Sequence, residues 1–249
     1  MKIITIIPAR MGSSRFPGKP MAKILGKPMI EHVYNNVKNT PGISKTIVAT
    51  CDNEIHNHIL SIGGVSVMTS NKHERASDRC AEALKIVESS EQNSYDLMVM
   101  VQGDEPLIKE EMITEAIQPF FSDKNTIVTN LYSEIEEEVE FINPNCIKVV
   151  MDKFENALYF SRSPIPHNKK FKIGNSFKQI CVIPFRRDYL EKYNKLCQTN
   201  LEIQESVDML RILENGEKVR MVKTKYKLTH AVDHPSDIEI IEKLLKSRK

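Results

Sequence analysis

Over the first 130 residues, short apolar runs alternate with segments whose apolar residues recur at helical spacing. Ile3 to Ile7 is a continuous run rich in β-branched residues, the pattern of a buried strand. A loop with Gly12, Pro17, Gly18, Pro20, Gly26 and Pro28 follows. Met29, Ile30, Val33 and Val37 then fall on one helical face, with Pro28 placed at the helix start. Thr46–Ala49 predicts a strand, Asn53–Ile62 a helix, Val65–Met68 a strand, Ser77–Val87 a helix and Leu97–Val101 a further strand. This rhythm predicts an α/β fold, a Rossmann-like, mostly parallel sheet flanked by helices.

The second half is less regular. Cys146–Met151 and Ala157–Phe160 predict a strand pair turning at Asp152–Asn156. Phe177–Phe185 reads as one strand, and Glu202–Leu213 as one helix closed by Asn215-Gly216. Lys218–Val222 predicts a strand and Pro235–Leu245 a terminal helix, while Lys169, Lys170 and Lys172 lie in a polar loop. The 249 residues suit one α/β unit, and no repeat or linker interrupts them. The expectation is a single domain over 1–249 with a smaller, irregular β-containing insert over approximately 130–215.

Composition narrows the class. Hydrophobic residues make up 41% and charged residues 27%, which excludes general disorder. Lys+Arg 35 against Asp+Glu 33 leaves a net charge of +2, without the electrostatic signature of a nucleic-acid or membrane-surface binder. The run KIITIIPAR is too short for a signal-peptide core, and no stretch approaches the ~20 apolar residues of a membrane span. Cys51, Cys80, Cys146, Cys181 and Cys197 are scattered and never CxxC, as expected of free thiols in a reducing compartment. A cytoplasmic protein is expected.

The chemistry concentrates at strand ends. The first strand runs into Pro8-Ala9-Arg10-Met11-Gly12-Ser13-Ser14-Arg15-Phe16-Pro17-Gly18-Lys19-Pro20. Ligands of open α/β sheets bind beyond the carboxyl ends of the strands. A loop there with small residues and the cations Arg10, Arg15 and Lys19 suits a polyphosphate, and the alternative is a solvated basic loop. It matches neither GxxxxGK[ST] nor GxGxxG. The strand at Leu97–Val101 ends in Gln102-Gly103-Asp104-Glu105-Pro106, where a carboxylate could hold Mg²⁺ beside a nucleotide. Asp233, two residues ahead of Pro235, reads by itself as a helix cap. The pairs His56/His58 and His230/His234 read as incidental rather than metal-binding.

Taken in order, IPARMGSSRFPGKP, VATCD, HERASDRCAEA, VQGDEPLI, FINPNCIKVVMD, ALYFSRSPIP and AVDHPSD resemble the 3-deoxy-manno-octulosonate (Kdo) cytidylyltransferases, the CMP-Kdo synthetases. The likeness runs from Ile3 to about Ile240. It implies a nucleotide-diphospho-sugar transferase-like fold, CTP and an acidic sugar as substrates, Mg²⁺ as cofactor and a homodimer. It places the triphosphate at Arg10 and Lys19 with Ser13 and Arg15, and the cytosine near Pro8, Ala9, Thr50, Cys51 and Asp52. Arg79 matches the arginine of the family's SGTER segment, and Gln102 would border nucleotide and sugar. Asp104 and Asp233 match magnesium-binding aspartates, and Arg162 matches an arginine that contacts the sugar. Arg10, Lys19 and Asp104 would carry the catalysis.

The departures cluster. SGTER becomes Arg75-Ala76-Ser77-Asp78-Arg79, and Ala76 in place of glycine would strain a backbone of positive φ. In the segment that the family writes approximately HxGIYGYR, the histidine becomes Gln179 and the first tyrosine Ile183. The Glu-Gln pair of the following helix becomes Asp208-Met209. Read as sugar-side positions, Gln179, Ile183, Asp208 and Met209 predict a reshaped pocket for an acidic 2-keto-3-deoxy sugar that need not be Kdo itself. An acylneuraminate-type cytidylyltransferase is one alternative. A non-catalytic nucleotide-binding paralogue is the other, and retention of both Asp104 and Asp233 argues against it.

Overall fold

The computed structural model of the chain describes residues 1–13, 15–168, 170–226 and 230–247. Two compact units are formed, residues 1–114 with 228–249, and residues 115–227. The second is wider than the insert of about 130–215 read from the sequence.

The first unit contains β1 (Ile3–Ala9), a 3₁₀ turn (Lys19–Met21), the short hairpin of β2 (Lys23–Ile24) and β3 (Lys27–Pro28), α1 (Met29–Val37), β4 (Lys45–Thr50), α2 (Asn53–Ser61), β5 (Ser66–Met68), α3 (Ala76–Glu91) and β6 (Leu97–Val101). After it comes α4 (Glu110–Ile117). Within this unit the strand order is β6-β1-β4-β5, all parallel. The run Ile3–Ile7 makes β1 the central strand, buried throughout, because β-branched residues fill both faces of a covered sheet. The chain steps outward from β1 through β4 to β5 and returns on the other side of β1 as β6. This reversal at β1 is where open α/β sheets leave a crevice at their carboxyl ends. Pairing of β1 with β6 runs from Ile3 opposite Leu97 to Ile6 opposite Met100 and ends two residues before Pro8, which has no N–H to donate.

The second unit contains α5 (Pro119–Ser122), β7 (Thr129–Glu134), α6 (Glu138–Ile142), β8 (Lys148–Met151), β9 (Ala157–Ser161), β10 (Phe177–Ile180), β11 (Val182–Arg186), α7 (Arg187–Tyr193), α8 (Asn200–Glu205), α9 (Met209–Glu214) and β12 (Arg220–Lys223). A sheet of order β12-β7-β10-β8-β9 is antiparallel except for β12 beside β7. The turn at Asp152–Asn156 forms as expected, with Asp152 Oδ1 accepting from the backbone N–H of Phe154 at 2.8 Å and of Asn156 at 2.9 Å. The single strand expected over Phe177–Phe185 breaks at Cys181 into β10 and β11. The single helix expected over Glu202–Leu213 breaks at Ser206, which adopts the left-handed conformation at φ 52°. Its physical cause is Arg162, whose guanidinium donates to the carbonyls of Glu205 (2.5 Å) and Ser206 (3.3 Å). A continuing helix would need those acceptors for residues 209 and 210.

The chain re-enters the first unit as α10 (Asp237–Ser247), two residues later than the expected start. Ile241 of α10 and Val232 ahead of it join Ile24, Met29 and Leu107 in one apolar cluster, with Phe16, Ile238, Leu244 and Leu245 packed against it. That cluster brings the segment before α10 to the carboxyl ends of β1 and β6. Of the lysine loop, Lys169 lies outside the described residues, and Lys170 and Lys172 are exposed.

Candidate active site

Beyond β1 the chain folds back on itself. Met11 O accepts from Ser13 N at 2.9 Å and from Gly18 N at 3.0 Å, and Gly18 takes φ 72°, where a side chain would be strained. Ser13 Oγ accepts from Phe16 N at 3.3 Å. The loop is also pinned from β4, because Asp52 Oδ2 accepts from Met11 N at 2.8 Å. Thr50, fully buried, accepts from Asp52 N at 3.1 Å. Asp52 therefore positions the first loop through its carboxylate. Pro8 and Ala9 close β1, and Gly103 approaches them so tightly that an added Cβ would stand 3.0 Å from Pro8 O.

This packing gathers two cations and two carboxylates. Lys19 Nζ lies 2.6 Å from Asp104 Oδ2 and donates to Val232 O at 2.8 Å. Val232 N in turn donates to Asp104 O at 2.9 Å. Arg15 Nη2 lies 2.8 Å from Asp233 Oδ1. Lys19, Asp104 and Asp233 have side chains only 12%, 21% and 15% exposed. Burial pushes the Asp233 carboxyl above its ordinary value; Arg15 and Lys19 oppose the rise and the charge on Asp104 adds to it. Asp233 is not the helix cap that its spacing suggested. Asp237, the first residue of α10, instead closes the turn ahead of the helix, its Oδ2 accepting from the N–H groups of Asp233 and His234, both at 2.7 Å. The Asp233 side chain is thereby left for Arg15.

A second set of contacts orders the segment between β5 and α3. Arg79, 3% exposed, donates through Nη1 to Thr69 Oγ1 at 2.5 Å and Ser70 O at 3.3 Å. Its Nη2 is buried and has no hydrogen-bond partner among the described residues. Glu82 Oε2 lies 2.5 Å from His73 Nε2 and accepts from Ser70 N at 2.8 Å. His73 O accepts from Arg10 Nη1 at 3.4 Å, so the pair reaches the exposed Arg10. His73 and Glu82 were missed in the sequence, where a histidine and a glutamate nine residues apart carry no visible signal. Ala76 begins α3 in helical conformation, and the strain expected of a positive φ does not arise. His56 faces Ser66 and His58 faces Glu31. Gln102, half-buried, follows β6 directly.

Apart from Gln102, the residues read as sugar-side lie in the second unit. Arg162 is a structural clamp. Besides the carbonyls of Glu205 and Ser206 it donates to Pro144 O at 3.0 Å, while Glu205 accepts from Arg162 N and Ser161 Oγ, each at 2.7 Å. Ile183 and Met209, read as sugar-side positions of a reshaped pocket, are 2% and 0% exposed and pack as core side chains. Gln179 donates to Asn130 Oδ1 at 2.5 Å, and Asn130 to Ile180 O at 2.7 Å. Asp208 is half-buried, and its carbonyl accepts from Tyr193 OH at 3.3 Å. Lys148, fully buried on β8, donates to the carbonyls of Asn143, Cys146 and Arg162 at 2.5–2.9 Å. Desolvation lowers its pKa, against which the Glu205 charge acts.

Among the described residues no group of three or more His, Cys, Asp or Glu gathers into a metal cage. Two hard carboxylates on neighbouring loops nevertheless fit a divalent ion that draws its remaining oxygens from phosphate and water. The chain's own cations and carboxylates thus suit a polyphosphate and its metal ion.

Comparison with known proteins identifies the family. The cytidylyltransferase family model matches residues 4–219. The 3-deoxy-manno-octulosonate cytidylyltransferase of Geobacter metallireducens is 41% identical, over 98% of this chain and 98% of that protein. Its counterpart in Thermodesulfovibrio yellowstonii is 42% identical, over 99% of both. A solved structure of a CMP:2-keto-3-deoxy-manno-octonic acid synthetase complexed with CTP matches with TM-score 0.87 at 34% identity, covering 100% of both chains. A cytidylyltransferase from Leptospira borgpetersenii, 18% identical with TM-score 0.62 over 99% of this chain and 87% of that one, shares the fold. The chain belongs to the cytidylyltransferase family and, within it, to the 3-deoxy-manno-octulosonate cytidylyltransferases.

Proposed function

We propose that this nucleotidyltransferase joins CMP from CTP to Kdo and releases pyrophosphate, in the service of surface glycan synthesis. The observation that carries the reading is the meeting of Lys19 and Arg15 with Asp104 and Asp233 at the ends of β1 and β6. The sugar's anomeric oxygen bonds to the α-phosphorus, the bond to the β-phosphate oxygen breaks, and the hydroxyl proton passes to solvent. Arg10, Arg15 and Lys19, with Ser13, bind the triphosphate, and Arg10 and Lys19 stabilise the charge that grows on the departing pyrophosphate. Pro8, Ala9, Thr50 and Asp52 border the base, and the unpartnered Nη2 of Arg79 is a donor available to the nucleotide. Asp104 and Asp233 would hold the divalent ion, Mg²⁺ in this reading. That ion supplies neutralisation of the phosphates and a lower pKa for the attacking hydroxyl.

A second reading is a Kdo relative with an altered substituent. It rests on Gln179 and Asp208, since Ile183 and Met209 are core residues. Among the described residues no helix is long and apolar enough to cross a membrane, and action in the cytoplasm as a homodimer is part of the proposal. Val139, Ile142, Leu158 and Ile203 of the second unit, each more than half exposed, supply apolar surface for self-association. Pyrophosphate release with CTP, Mg²⁺ and a panel of Kdo, its 8-amino-8-deoxy analogue and nonulosonic acids tests the assignment. Turnover led by Kdo is expected. Turnover led by another acid would favour the second reading, and silence across the panel with CTP bound would overturn both.

A further inference from the structure

We propose that Lys19 and Arg15 act as built-in counter-ions for Asp104 and Asp233, so that the divalent cation enters together with the triphosphate and not ahead of it. The inference rests on the nucleotidyltransferase reading of this site and concerns the order in which the site fills.

The two carboxylates belong to adjoining segments, since Val232, the residue before Asp233, donates to Asp104 O at 2.9 Å, and both are poorly solvated. Left alone they would repel each other and would attract any free divalent ion. Here each has a cation of the first loop at ion-pair distance, 2.6 Å for Lys19 with Asp104 and 2.8 Å for Arg15 with Asp233. The four formal charges cancel. A divalent ion arriving alone must displace an ammonium that is only 12% exposed and must leave it without an anion in a half-closed site. Displacing a buried cation from its partner is unfavourable unless another partner replaces it. A triphosphate is that replacement. Its oxygens accept from Lys19 and Arg15, and the carboxylates pass to the ion in the same exchange. Lys19 is suited to the move. Its stem is flexible and its ammonium is a point charge without a fixed fork, and Val232 O gives it a second acceptor from which to turn. Asp104 keeps its place meanwhile, because its backbone carbonyl is held by Val232 N.

The test is Mn²⁺ binding followed by the electron paramagnetic resonance of the free ion, with and without CTP and without sugar, so that no turnover occurs. For the unsubstituted protein, Mn²⁺ alone should bind at least about tenfold more weakly than Mn²⁺ with CTP beyond the ion's affinity for free CTP. Lys19→Met should tighten nucleotide-free Mn²⁺ binding about tenfold or more, the scale of one like-sign charge removed at ion-pair distance. It should weaken CTP binding at the same time. Adding Asp104→Asn to Lys19→Met should abolish the gain. Arg15→Met, at a side chain 45% exposed, should show a smaller gain and provides the comparison if Lys19→Met does not fold. Nucleotide-free Mn²⁺ binding as tight as with CTP, or unchanged in both single variants, would overturn the counter-ion role while CTP binding stood. Absence of CTP binding would overturn the functional reading with it.

Discussion

Asp104 and Asp233 are equivalent in chemistry and unequal in legibility. Asp104 stands at the end of an apolar run, where a carboxylate has an obvious use, whereas Asp233 beside Pro235 looks like a cap. Only the folded chain shows Asp237 closing that turn and Arg15 holding the Asp233 side chain. Asp104→Asn should lower pyrophosphate release by at least about 10²-fold, the usual scale for removing a charged group from a reacting site, with an unchanged far-UV circular dichroism spectrum. Full activity would remove Asp104 from the chemistry. Glu82 permits a pH test. Burial would raise its carboxyl, but Ser70 N–H, His73 and Arg79 outweigh it and the net shift is downward. A lowered folded pKa adds stability above the unfolded value, and that stability is lost as pH falls through the folded value. Glu82→Gln should therefore melt lower than the parent at pH 7, with the gap starting to close only once pH falls below the unfolded glutamate value of about 4.3. It should also raise the KM for CTP a few-fold, since His73 O holds Arg10. A melting gap undiminished at pH 3 would mean that packing, not charge, is involved.

Elements differ in how far periodicity describes them. The strands and helices of the first unit follow their apolar patterns because the central strands are buried on both faces and the helices bury one. The pattern across Glu202–Leu213 stays helical through the break at Ser206, since Glu202, Val207, Met209 and Leu210 are all buried. What ends α8 is a guanidinium from 43 residues away, and no local window contains it. Gly103 is the comparable case at the end of β6. Its neighbours at 3.0 and 3.2 Å are Pro8 O and the Ile30 side chain, one of them backbone that cannot yield. Gly103→Ala should displace Asp104 from Lys19, costing about 1–3 kcal/mol of stability, as overpacking does, and lowering kcat more than KM. Melting and steady-state kinetics check this, and an unaffected kcat would show that the strand end absorbs the methyl.

For the molecule as a whole, ligand linkage gives the most direct check. CTP at 100 times its dissociation constant should stabilise the chain by about 2.7 kcal/mol, a rise in Tm of about 5–10 °C for a protein of this size. Differential scanning fluorimetry with CTP, ATP and GTP would show the rise for CTP alone if the ends of β1 and β4 read the base. Equal shifts for all three would place selectivity elsewhere. Sedimentation velocity of the same sample checks the homodimer.

The sequence by itself determined the parallel α/β core, the basic loop after the first strand and the family, because these rest on local apolar runs and on motifs contiguous in the chain. Tertiary structure decided what the scattered polar residues do. It turned Arg162 into a clamp on α8, sent Ile183 and Met209 into the core, and joined Glu82 through His73 to Arg10. It also set Lys19 on Asp104 across 85 residues of chain. The partner of an ionised or hydrogen-bonding side chain is whichever group the fold brings within about 3 Å, and sequence spacing carries no record of that distance.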